Sequence, residues 1–179
     1  MKKIAVLALF LISITGYGQK ITSYSIGNEI LDKFGVFKPT TDNKHSIGRC
    51  IGFFETPHGV FMNSREWVDE HKNSFRSIVY LYHNETLKEV DKLQNFVIYD
   101  YSTDLNSFIL GIGKNVQALD EWKTMYSNLY TYNLNNENPI LQKEISRFKI
   151  LNAKFVTDNQ IEYEIYENGG NTKFKVDIK

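Results

Sequence analysis

Apolar and polar residues alternate most strictly near the end of the chain. Ile161, Tyr163 and Ile165 are separated by Glu162 and Glu164, and Phe174, Val176 and Ile178 by Lys175 and Asp177. Period-two alternation of β-branched and aromatic residues predicts two half-buried strands. Between them, Glu167-Asn168-Gly169-Gly170-Asn171-Thr172 supplies residues that tolerate positive φ, which is turn chemistry. Parity narrows the register. One strand's apolar set is odd-numbered and the other's even-numbered, so facing residues must sum to an odd number or one apolar face turns to water. A sum of 339 sets Glu164 against Lys175. A sum of 337 sets Glu164 against Lys173 and Glu162 against Lys175. Acid then faces base on the wet side, a solvated strand face rather than a binding patch. A lone hairpin is marginal, so further strands must extend it, with Phe148 to Thr157 the nearest candidate.

Upstream the pattern predicts a mixture. Ile26, Ile30, Leu31 and Phe34 share one helical face within Lys20 to Gly35, and Gly35 is a natural stop. Ser46 to Asn63 reads as a hairpin turning at Thr56-Pro57-His58-Gly59. Its small face at Gly48, Cys50 and Gly52 predicts an element packed unusually close. Asn63 with Glu66 resembles a capping box opening a helix through Trp67, Val68, His71 and Phe75. Ser77 to Tyr82 is a strand, and Leu87, Val90 and Leu93 mark a short helix over Glu85 to Leu93. Phe96 to Tyr101 and Ser107 to Ile112 form a strand pair. Val116, Leu119, Trp122, Tyr126 and Leu129 give the clearest amphipathic helix. Tyr132 to Asn138 is an Asn-rich loop, and Ile140 to Phe148 fits helix or strand. Tight hairpin loops favour antiparallel pairing. The expected fold is α+β: an antiparallel sheet of several hairpins, roughly six to eight strands, covered by two to four helices.

The first eighteen residues stand outside that domain. Lys2 and Lys3 precede the apolar run Ile4 to Ile14, and Gly16 and Gly18 sit at −3 and −1, which predicts a secretory signal peptide over 1–18 cut before Gln19. The run is short for a membrane span. Residues 19–179 then form one domain that works as a secreted or periplasmic protein with no integral membrane segment. Loss of Lys2 and Lys3 takes the basic count from 21 to 19 against 21 acidic residues, a net charge of −2. So near-neutral a chain argues against nucleic acid as partner. Cys50 is the only cysteine, so no intrachain disulfide forms and the core alone must hold the fold.

Candidate chemistry is sparse. His45, His58, His71 and His83 lack metal-motif spacing, so no metal and no other cofactor is expected. Cys50 with a histidine is the one thiol option, but a free cysteine flanked by glycines reads better as a small core residue. Gly111-Ile112-Gly113-Lys114-Asn115, between a predicted strand and a predicted helix, lacks the spacing of a phosphate loop. Glu55 and His58 flank a hairpin tip and are the weak catalytic candidates, with Cys50 beside them. Eleven tyrosines are many for this length. Tyr126, Tyr130 and Tyr132 lead into the Asn-rich loop, and Tyr99 and Tyr101 lie on a strand. Exposed rings give contact area at low entropy cost, so Tyr126, Tyr130 and Tyr132 are the binding candidates. The reading is a non-catalytic binding or interaction module for a protein or glycan partner in the cell envelope. One alternative is a small extracytoplasmic hydrolase using Glu55 and His58. The other is a periplasmic inhibitor or immunity-type protein.

Overall fold

The computed structural model describes residues 23–36, 48–69, 74–116, 123–136, 138–145, 150–167 and 169–179. The predicted leader 1–18 lies outside them, as do the polar loop 38–44, His45 and His71. The expected α+β architecture is overturned. Among the described residues there is one helix, α1 (23–33), and eleven strands in three antiparallel sheets. Sheet 1 is β1 (Gly52–Thr56), β2 (Gly59–Asp69), β3 (Ser74–His83) and β4 (Thr86–Glu89). Sheet 2 is β5 (Phe96–Ser102), β6 (Ser107–Val116), β7 (Lys123–Asn133) and β8 (Ile140–Lys143). Sheet 3 is β9 (Ile150–Thr157), β10 (Gln160–Glu167) and β11 (Gly170–Asp177). In each sheet, neighbours in space are neighbours in sequence.

Among the described residues, three apolar cores join these layers. Leu31 of α1 packs with Cys50, Met62, Ile78 and Tyr80 on the outer side of sheet 1. Between sheets 1 and 2, Phe108 is fully buried against the rings of Phe54, Phe61 and Tyr101. Between sheets 2 and 3, Ile109 and Leu129 meet Ile150, Ile161, Tyr163 and Ile165. Sheet 2 is therefore covered on both faces. Burial on both faces places apolar residues at both parities, which erases the alternation that marks a half-buried strand.

One of the false helices lies in this sheet. The predicted helix over Val116 to Leu129 gives way to β7, whose register slips between Gly111 and Ile112 so that Asn128, at φ 71°, is an extra residue. Tyr126 and Leu129 are three apart yet face Gly113 and Gly111, which are two apart. The bulge turns a strand step into an i, i+3 spacing. The Gly111-Ile112-Gly113 run lies within β6 rather than at a strand-to-helix turn. Asn63 is not a helix cap but a residue inside β2, and β2 pairs with β3 up to Asp69. The predicted helix over Glu85 to Leu93 is β4 followed by a single 3-10 turn, Asp91–Leu93. Its opening is a two-residue hairpin turn in which Asn84 and Glu85 both have positive φ, 48° and 58°.

Other expectations hold. The end hairpin adopts the 337 register, with Ile161 opposite Val176, Tyr163 opposite Phe174 and Glu164 opposite Lys173. Tyr163 and Ile165 are buried, while Phe174 stacks on Tyr163 at 5.5 Å and remains 38% exposed, because β11 is an edge. On the wet face Glu162 meets Lys154 at 3.4 Å and Lys173 at 4.0 Å. The α1 helix ends at Gly35, φ +70°, with Val36 N–H donating to Leu31 C=O and Gly35 N–H to Asp32 C=O. That is a Schellman closure. Its buried face differs from the expected one. Gly27 and Leu31 are buried, whereas Ile26 and Phe34 are exposed.

The close packing predicted at Cys50 is supplied by α1. A Cβ added to Gly27 would stand 2.5 Å from Cys50 Sγ, and Asn28 Oδ1 accepts the Cys50 N–H at 2.8 Å.

Polar ties fasten sheet 2 to both its neighbours. The fully buried Asn63 donates through Nδ2 to Phe96 C=O at 3.2 Å and accepts Ile98 N–H at Oδ1 at 2.9 Å. On the other side, Asp100 accepts Phe155 N–H at 2.9 Å and Tyr99 O–H donates to Ile150 C=O at 3.0 Å.

Asn63→Leu keeps the volume but strips partners from two backbone groups. It is expected to lower stability by at least about 2 kcal/mol, read from urea unfolding; an unchanged midpoint would remove Asn63 from this role. Glu85→Gly relieves a left-handed glutamate and is expected to raise stability by about 1 kcal/mol, read the same way.

Candidate functional site

Where the three sheets and α1 converge, backbone pairing gives out and leaves a cleft of about 290 Å³. The helix contributes Tyr24. The entry to β1 contributes Ile51, Gly52 and Phe54, and β2 contributes Arg65. Opposite them stand Val97, Ile98 and Tyr99 of β5 and Ile150, Leu151 and Asn152 of β9. Ile51 and Leu151 are 37% and 38% exposed and form an apolar rim.

Two local irregularities shape it. The β5–β6 register slips between Ile98 and Asp100, so Tyr99 is the bulged residue. Bulges re-aim side chains. Here both Tyr99 and the following Asp100 reach sheet 3, whereas Ile98 and Tyr101 pack toward sheet 1. Gly111 makes this possible: a Cβ there would lie 2.6 Å from the Tyr99 ring. At the other wall a Cβ on Gly52 would lie 2.9 Å from the Phe54 ring and 3.3 Å from Asn63 Oδ1. Glycine leaves room for the amide that ties sheets 1 and 2.

Arg65 follows from strand alternation. Phe61, Asn63 and Arg65 share one face of β2, and that face looks toward sheet 2, since Asn63 bonds Phe96 and Ile98. Of the lining residues only Arg65 carries a formal charge. No carboxylate pairs with it among the described residues.

The residues singled out from sequence lie elsewhere. Glu55 is exposed on β1 opposite Val60, and His58 is exposed in the turn. That turn is held by Thr56, whose hydroxyl donates to Gly59 C=O at 2.8 Å and accepts His58 N–H at 3.1 Å. No hydrogen bond or ion pair joins Glu55 to His58. Cys50 is 6% exposed, its thiol donates to Gly52 C=O at 3.1 Å, and burial pushes its pKa up to about 11. None of the three lines the cleft. Tyr132, expected to be exposed, is buried in the core between sheets 1 and 2, and burial raises its hydroxyl pKa. Tyr130 is half-buried against Phe96, with ring centroids 5.4 Å apart. The side chain of Tyr126 lies outside the described residues. Among those residues no three His, Cys, Asp or Glu side chains come together as a metal site would need. None of the three candidate tyrosines is among the residues that line the cleft; Tyr99, on its strand, is. Arg65, Tyr24 and Asn152 were not singled out, and Arg65 becomes readable only once β2 is known to be a strand.

Compared with known proteins, the chain matches no family model, no curated protein and no solved structure. No helix among the described residues is long and apolar enough to cross a membrane.

A thiol held near 11 stays protonated where thiol reagents are used, and burial blocks access. Native protein at pH 8 is expected to leave Cys50 unlabelled by Ellman's reagent, with full labelling after unfolding in denaturant. Fast labelling of the native state would contradict its placement. The folded pKa of about 11 lies above the ordinary 9.0. Between these values the unfolded chain loses a proton that the folded chain keeps, so the thiol's contribution to stability falls as pH rises through that window. Cys50→Ala should remove that share of the decline.

Proposed function

We propose that this chain is an exported, non-catalytic binding protein that holds a protein or glycan partner of the cell envelope at the three-sheet cleft. The observation that carries the reading is the composition of that cleft. Two tyrosines, one arginine that no described carboxylate pairs and an apolar floor converge there, without an acid, a histidine, a cysteine or a serine among the lining residues. Apolar walls with a few placed polar groups are what small-group recognition uses. Hydrolysis asks for a proton-transfer group within hydrogen-bond reach of the scissile bond. The export element rests on the leader pattern at 1–18.

The hydrolase alternative needs Glu55 and His58 to converge with Cys50 or another acid in a concave pocket; both are exposed at the hairpin turn and none of the three lines this cleft. An inhibitor or immunity role would draw support from a surface of one sign. The outer face of sheet 3 instead alternates Lys154, Glu162 and Lys173.

The test is to fill the cleft from its rim. The mature wild-type chain, immobilised and exposed to an envelope extract, is expected to retain a defined component identified by mass spectrometry. Leu151→Trp and Ile51→Trp, with unchanged unfolding midpoints, are expected to weaken that retention at least about tenfold, or 1.4 kcal/mol. Equal retention by both variants would overturn the cleft as the binding site.

A further inference from the structure

We propose that the cleft recognises a carboxylate carried on an apolar body, with Arg65 as its anchor. The inference rests on the binding reading above and adds the chemistry of the ligand. Arg65 stands two residues beyond Asn63 on the same face of β2, and so is carried over a floor that includes Phe54, Ile98 and Ile150. It is the one charged residue of the lining, and the described part of the chain offers it no counter-charge. Asp100, on the strand that forms the opposite wall, is turned away by the bulge and accepts Phe155 N–H in the contact with sheet 3. Among the described residues, then, the counter-charge is left to a ligand.

A guanidinium presents a planar fork of donors that matches a carboxylate in two parallel hydrogen bonds. The apolar floor takes up the body that carries the acid. The exposed Asn152 adds amide donors and an acceptor at the mouth. A volume of about 290 Å³ sits at the lower end of ligand clefts. It suits one ring or one large side chain with its acid rather than an extended polymer. A free apolar acid has this chemistry. So does the carboxyl terminus of a polypeptide ending in an apolar residue.

The probes are 3-phenylpropionate and 3-phenylpropanamide, which share a body and differ in charge. With them goes a short polyglycine peptide ending in phenylalanine, with a free or an amidated terminus. All four are titrated into the mature chain by calorimetry. Each acid is expected to bind at least about tenfold more tightly than its amide. Because Arg65 is exposed, that preference should shrink as salt is raised. Arg65→Gln is expected to abolish it and Arg65→Lys to keep part of it. Tighter binding by the peptide acid assigns the ligand to a chain terminus, and tighter binding by phenylpropionate to a free acid; either supports the proposal. Equal binding of acid and amide, or an acid preference that survives in Arg65→Gln, overturns it while the cleft reading stands. The same holds if none of the probes binds but Leu151→Trp still releases the envelope component. If none binds and Leu151→Trp releases nothing, the binding reading falls as well.

Discussion

The structure depends on how the free edges of its sheets are satisfied where they are buried. Strand β5 is an edge of sheet 2, yet sheet 1 covers it, so its outward-facing backbone groups lose access to water. Buried backbone polar groups must find partners. No strand supplies them. The amide of Asn63 does, taking Ile98 N–H and offering a donor to Phe96 C=O. One side chain from the sheet above substitutes for the missing neighbour in the ladder. Isolated apolar packing could slide by a residue; a two-point amide contact cannot, because a slip of one residue presents the opposite set of groups.

The same device recurs one layer down. The outer edge of β9 is served by Tyr99 and Asp100 of β5, and a bulge directs both consecutive side chains to one side. Sheet 2 thus receives a tie from above and sends two below, all through β5. The cleft is a by-product of this geometry. The polar ties and the apolar cores meet around it without filling it. Gly52 and Gly111 mark where the ties need space that any larger residue would occupy.

The sequence was legible where a segment has one wet face. The β10–β11 hairpin, with its acids opposite bases, was readable down to a choice between two registers, of which the structure takes the 337 one. The helix ending at Gly35 and the strands through Ile78 and Ile98 were readable too. It failed at β7, a strand of the doubly covered sheet 2, where the extra residue at Asn128 converts the pattern into helical spacing, and at the exposed edge strand β4. Asn63 shows the other limit. Beside Glu66 it has the local signature of a cap, and only the presence of β5, more than thirty residues downstream, gives it its actual partner. The site suffered for the same reasons. Tyr132 looked like a loop-proximal ring and is a core residue. Arg65 carried no signal of its own and lines the cleft. The small face around Cys50 was read correctly because a run of glycine and cysteine has few uses other than close approach.

Every strand within a sheet pairs with the strand next to it in sequence, whereas the ties between sheets span 33 to 55 residues. Local pairings close small loops and form early; distant ones must wait for the chain to bring their partners together. The folding reaction is thereby divided into three meanders that can each assemble with little help from the others, followed by a docking step in which Asn63, Tyr99 and Asp100 lock. The slow event, and the interval in which half-covered strands are open to association with other chains, belongs to that docking.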